Sequence, residues 1–289
     1  MKSHAAPSHT GSFSTELKRF VESYSLEVLP QAADGLVADG VIPTGRDIYL
    51  PAIPGSDPAI AVDACRRLAQ AGYVPIPHLS ARTISGPDDL KQRLAAFATA
   101  GAEGLLLIAG DAKQAKGPYF DTLAILESGL LADYGFTKLG IAGHPEGHTA
   151  ASERDVVRAL QTKLDYAKAT GTDMWMVSQF SFSAPAIVDW LNWLRRHEFD
   201  VPVRIGVAGP ASIRKLLTFA MRCGVGNSAR FLTQKPRNVA SLVRKWDPGD
   251  LLQALLADSA VLGNEQVAGV HFFPFGGIAD VKAWIDSIG

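Results

Sequence analysis

Alternation is the feature that most constrains this chain. Eight short runs rich in aliphatic, β-branched and aromatic residues recur along its 289 residues, each followed by a turn and then a stretch of helical period. The runs read as strands span residues 25–29 (SLEVL), 47–50 (DIYL), 74–78 (VPIPH), 104–108 (GLLLI), 138–142 (KLGIA), 174–177 (MWMV), 203–207 (VRIGV) and 269–273 (GVHFF). Between them lie amphipathic stretches such as AIAVDACRRLAQAG and ERDVVRALQTKLDYAKATG, closed by Gly72, Gly101 and Gly171 in helix-ending positions. Strands this continuously apolar are buried on both faces, so the pattern predicts an α/β fold: a (β/α)8 TIM barrel rather than an open sheet. No G-x-G-x-x-G follows an early strand, which argues against a dinucleotide-binding fold.

The interval between the seventh and eighth runs is long. It holds SIRKLLTFAMRCGV, NVASLVRKW and DPGDLLQALLADSA, which read as extra helices between strands 7 and 8. Residues 15–289 are expected to form one barrel domain with catalytic function, and residues 1–14 a flexible N-terminal tail ahead of the helix TELKRFVES.

Composition narrows the function classes. Hydrophobic residues make up 47%, and 28 Lys and Arg almost cancel 29 Asp and Glu, so no overall field favours nucleic acid or a membrane surface. No run approaches the roughly 18 apolar residues a membrane helix needs, and the opening MKSHAAPSHTGSFS lacks the apolar core of a signal peptide. The expected location is the cytoplasm. Cys65 and Cys223 both fall in helix-like stretches and read as packed, reduced thiols.

A barrel enzyme carries its chemistry at the C-terminal ends of its strands. Those ends hold Glu27, His78, Asp111, His144, Glu146, His148, Gln179 and the turn HFFPFGG from His271 to Gly277. Glu27 alternates against Leu26 and Val28, so it faces either the lumen or the helix layer. It is either a paired floor residue or a carboxyl whose proton affinity is raised by desolvation. Asp111 follows Gly110 and can accept two parallel N–H bonds from a flat ligand, or serve as a loop cap. Gln179 offers donor and acceptor together beside Phe180 and Phe182, or is satisfied by backbone. In IAGHPEGH the His-x-x-x-His spacing would suit a metal on a helix, but Pro145 and Gly147 make the segment a turn. No third ligand has metal spacing and no G-x-S-x-G is present, so neither a metal nor a serine hydrolase is expected.

Taken in order, these segments resemble the methylenetetrahydrofolate reductase family. SLEVLP is similar to its Phe-Glu-Phe-Phe-Pro, PHLS to Pro-His-Leu-Thr, LIAGD to Leu-Arg-Gly-Asp and AGHPEGH to Gly-Tyr-Pro-Glu-Gly-His. VSQFSF is similar to Ile-Thr-Gln-Phe-Phe-Phe, and VHFFPFGG to His-Phe-Tyr-Thr-Leu-Asn. The resemblance implies an oxidoreductase that interconverts 5,10-methylenetetrahydrofolate and 5-methyltetrahydrofolate, with FAD bound and NADH or NADPH as co-substrate. Its setting would be one-carbon and methionine metabolism or methyl-group catabolism.

By position, the resemblance implies catalytic roles for Glu27, Asp111 and Gln179. Cofactor contacts would come from His78, Ala109, Gly110, His144, Glu146, His148 and Lys163. The tetrahydrofolate derivative would meet Asp111, Gln179, Phe273 and Phe275. Ala109, His144, Phe273 and Gly276 replace the family's Arg, Tyr, Tyr and Asn. Those changes leave two alternatives: flavin-independent hydride transfer to the folate, and a non-catalytic pterin- or flavin-binding barrel. A homo-oligomer stays open.

Overall fold

The computed structural model describes residues 10–148, 150–223, 225 and 245–288. Eight parallel strands close a barrel in sequence order: β1 (Ser25–Glu27), β2 (Asp47–Leu50), β3 (Val74–Ser80), β4 (Gly104–Ile108), β5 (Lys138–Gly143), β6 (Asp173–Ser178), β7 (Val203–Ala208) and β8 (Val267–Phe273). The seam is closed by β1 beside β8, with Ser25 opposite His271. The (β/α)8 expectation is met, with strand positions matching to within a few residues.

The helices are α1 (Thr10–Glu22), α2 (Ala33–Asp39), α3 (Pro58–Gln70), α4 (Pro87–Thr99), α5 (Thr122–Glu127), α6 (Leu130–Asp133), α7 (Glu153–Thr170), α8 (Ala184–Arg196), α9 (Ile213–Arg222), α10 (Gly249–Leu256) and α11 (Ile278–Ser287). α1 thus begins five residues before the expected domain start. Two of the expected extra helices between β7 and β8 are α9 and α10. The third stretch, 238–246, lies outside the described residues as far as position 244.

Local chemistry explains where helices start and stop. Asp57 caps α3 through Ala59 N at 2.9 Å with Pro58 at the first helical position, and Ser152 caps α7 through Asp155 N at 3.2 Å. Gly171 ends α7 in the left-handed region at φ 69°.

Two apolar compartments follow from strand alternation. Outward side chains such as Leu26, Ile48, Leu105, Ile141 and Ile205 join the helices in the main core. Tyr49, Ile76, Leu106 and Val177 form a separate cluster with Trp175 inside the barrel. A hydrogen bond proves the interior placement: Trp175 Nε1 donates to Tyr49 Oη at 2.7 Å, joining β6 to β2 on opposite walls. Gly140 makes room for the indole, since a Cβ there would stand 2.9 Å from the Trp175 ring. At the N-terminal end, Arg204 Nη2 donates to Asp47 at 3.0 Å and Nη1 to Ser23 O at 2.6 Å, tying β7 to the bottom of β2. Among the described residues, no helix is long and apolar enough to cross a membrane.

Candidate functional site

Above the Tyr49–Trp175 floor the lumen turns polar. His271 lies edge-on to Tyr49, with ring centroids 4.6 Å apart, and its Nδ1 is 2.9 Å from Ser25 Oγ. One layer higher, Glu27 ends β1 and His78 rises from β3, with His78 Nε2 3.7 Å from Glu27 Oε2. That separation is too long for a hydrogen bond, and His78 Nε2 is buried with no hydrogen-bond partner. The His78 side chain is 8% exposed and Glu27 23%.

Burial governs the charge state. It pushes Glu27 up from 4.5 to about 7 and His78 down from 6.5 to about 3. His271 is held well below its usual range, first by burial, then by His78 and Arg204. At neutral pH the layer is therefore a carboxyl poised between its two forms, beside two uncharged imidazoles. His78 and Glu27 do not form an ion pair there, despite their proximity. Beside them, a cleft of about 160 Å³ opens between the β2–α3 loop and β3, lined in part by Pro51, Ile53, His78 and Ser80.

The second cluster sits on the β3–β5 side of the mouth. His144 and His148 pack edge-to-face at 4.7 Å across a turn closed by Gly147 N donating to His144 O at 3.0 Å. Burial lowers His144 to about 4, helped by His148 and Lys163. His148 is lowered by burial and then by Lys163 and Arg82. Lys163, from α7, is itself lowered by burial, with Asp121 opposing. Arg82 is anchored by Nε donating to Phe120 O at 2.9 Å. Glu146 lies in the same turn, half-buried.

The other expected residues are placed less centrally. Asp111 is exposed on the loop after β4. Gly110 was expected to let the backbone approach a ligand, but the close approach is to β3: a Cβ there would lie 2.0 Å from Ser80 Oγ, and φ is 88°. Ala109 O accepts from Arg82 N at 3.0 Å, a backbone role its side chain does not decide. Gln179 Nε2 donates to Cys223 O at 2.6 Å, so its amide is engaged by the end of α9. Phe180 and Phe182 are buried, while half-buried Phe273 and Phe275 stack nearly parallel at 6.0 Å within the same aromatic wall. Glu27, Asp111 and Gln179 all stand at the C-terminal rim, but no hydrogen bond or ion pair joins them. Ser25, Tyr49 and Trp175 escaped the sequence reading; their signal was two-residue alternation, Ser25 from Glu27, Trp175 from Val177 and Tyr49 between the outward Ile48 and Leu50. Among the described residues, no group of three His, Cys, Asp or Glu is placed to hold a metal.

No family model matches the chain. Solved structures similar to it include dihydropteroate synthase from Thermus thermophilus in complex with 6HMPPP, at 16% identity and TM-score 0.48, covering 92% of this chain and 90% of that one. Another is oxaloacetate acetylhydrolase, at 11% identity and TM-score 0.47, covering 68% of this chain and 71% of that one. These similarities are too slight to transfer a function. The absence of any matching family model overturns the expected membership of the methylenetetrahydrofolate reductase family. The folate oxidoreductase activity is withdrawn with it, and FAD and the nicotinamide donor rested on that resemblance alone. The physical reason for the error lies in the motifs. Gly110-Asp111 and Pro145-Glu146-Gly147 lie in the turns after β4 and β5, where Gly, Pro and Asp recur for conformational reasons whatever a barrel binds, and Pro77-His78 is only two residues within β3.

Proposed function

We propose that this barrel is an enzyme that moves a proton through Glu27 on a small organic ligand held at the C-terminal mouth. The observation that carries the reading is the Glu27 carboxyl, raised to about 7 in a lumen it shares with uncharged His78. A group poised near neutral pH is present in both forms, which is what efficient general acid or base catalysis requires. As an acid it gives the proton on its carboxyl to a ligand nitrogen, oxygen or carbon; as a carboxylate it takes one back. Arg82 and Lys163, the positive groups beside the uncharged His144 ring and His148, support an anionic handle on the ligand, a carboxylate or phosphate, which would offset their charge. A tetrahydropterin with an acidic tail is one candidate ligand, since exposed Asp111 leaves a carboxylate for its amino-pyrimidinone edge.

Two measurements test this. With ¹³C-labelled glutamate side chains, the resonance that vanishes in Glu27→Gln should titrate near pH 7. In D2O, a panel of keto acids, sugar phosphates and tetrahydropterins should reveal ligands whose proton exchange or turnover falls by about 100-fold or more in Glu27→Gln. A Glu27 midpoint near 4.5, or catalysis indifferent to the substitution, would sink the reading.

A further inference from the structure

We infer that His78 is a positioning residue that closes onto Glu27 once the carboxyl has given up its proton, donating from Nε2 to Oε2. The inference rests on the proton-transfer reading of Glu27. Its geometric basis is a mismatch: two polar groups face each other inside a barrel at 3.7 Å, in ordinary contact yet farther than a hydrogen bond allows. His78 Nε2 has no other partner, and buried polar groups without one are rare. The gap is closed by a movement of less than 1 Å, about what a partly exposed glutamate gains by a small χ rotation.

The direction of the change follows from the charges. While Glu27 is a neutral acid, little drives the two groups together. Once the proton passes to the ligand, the carboxylate is a full negative charge in a desolvated site, and a charge-assisted N–H···O⁻ bond roughly doubles in strength over a neutral one. His78 moves no proton itself: burial keeps it neutral down to about pH 3, so it keeps one ring proton and supplies it only as a hydrogen-bond donor. The titratable groups around this pair are Tyr49, opposite Glu27 in the β1–β2 register, and His271 across the seam on β8. Tyr49 Oη already accepts from Trp175, and His271 Nδ1 is already engaged with Ser25. The tyrosine keeps its own hydroxyl proton and His271 its Nε2, but it is His78 Nε2 that faces Glu27 Oε2, at 3.7 Å. The bond forms only after proton transfer, so it lowers the energy of the product side of the step rather than tightening ligand binding.

The test reads Glu27 directly and needs no known substrate. His78→Leu should move the Glu27 midpoint upward by about one pH unit or more, roughly a tenfold loss in ionisation constant, since a hydrogen bond to the charged form has been removed. His78→Gln, which keeps a donor at a similar reach, should return it most of the way. In the wild type, ¹⁵N shifts of His78 at pH 8 should show the proton on Nε2. An Nδ1–H tautomer at that pH, an unmoved midpoint in His78→Leu, or a glutamine variant that behaves like leucine would each overturn the proposal. Should His78→Leu fail to fold, the glutamine variant and the tautomer still decide. A wild-type midpoint near 4.5 would instead fell the proton-transfer reading, so the two failures are distinguishable.

Discussion

A carboxyl buried to the point of titrating near neutrality costs the protein stability, and the cost has a definite pH window. Unfolded, Glu27 ionises near 4.5; folded, it holds its proton to about 7. Between those values the folded state carries the extra proton, so stability falls as pH rises and is flat on either side. The full span is about 3 kcal/mol. His78 works the other way: the unfolded ring takes a proton below 6.5 and the folded one only near 3, so its contribution rises with pH across that window. Comparing wild type with Glu27→Gln cancels the histidines. Urea denaturation from pH 4 to 8 should show the variant gaining on the wild type between about pH 4.5 and 7, by up to about 3 kcal/mol, and level outside that range. Parallel curves would mean that Glu27 is solvated.

At the scale of elements, the barrel depends on glycines that let strands and rings approach. A Cβ on Gly206 of β7 would stand 2.1 Å from the backbone oxygen of Ser178 and 2.9 Å from the ring of Phe273. Backbone on a neighbouring strand cannot yield as a side chain can, so Gly206→Ala should destabilise by about 1–3 kcal/mol, read as a lower urea midpoint. Gly35 is the control: it sits inside α2 with nothing within 4 Å of where a methyl group would stand, so Gly35→Ala should raise stability by roughly 0.5–1 kcal/mol. These elements are also where the sequence was most legible. Runs such as GLLLI and VRIGV are apolar because both their faces are covered, and that signal survives without any knowledge of neighbours. Rim position marked out Glu27 and His78 for the same reason. Their meeting was not legible, because it depends on register: Glu27 pairs with Tyr49 and Tyr49 with Ile76, which sets His78 one layer up on the next strand but one. Nor was the fate of Gln179, whose partner, Cys223 O, belongs to a helix 44 residues on.

Across the whole molecule, the barrel's two ends separate what holds it together from what acts. At the N-terminal end, half-buried Arg204 binds both Asp47 and the Ser23 carbonyl; at the other, Glu27 stands among neutral rings. Removing the guanidinium with Arg204→Leu leaves a carboxylate that is only 30% exposed and a backbone carbonyl without their donor, for a loss of about 1–3 kcal/mol. Burial alone raises Glu27, so its midpoint should stay near 7 in that variant. His271 does feel Arg204 as a like charge, so its proton affinity should rise, though burial still keeps it neutral at pH 7. Glu27→Gln should give the mirror image: activity lost, stability at pH 7 gained. Denaturation and NMR titration of the two variants side by side measure this directly. If Arg204→Leu shifted Glu27 as strongly as it destabilised the fold, the lumen would be transmitting charge from floor to mouth, and the two ends would have to be treated as one electrostatic unit.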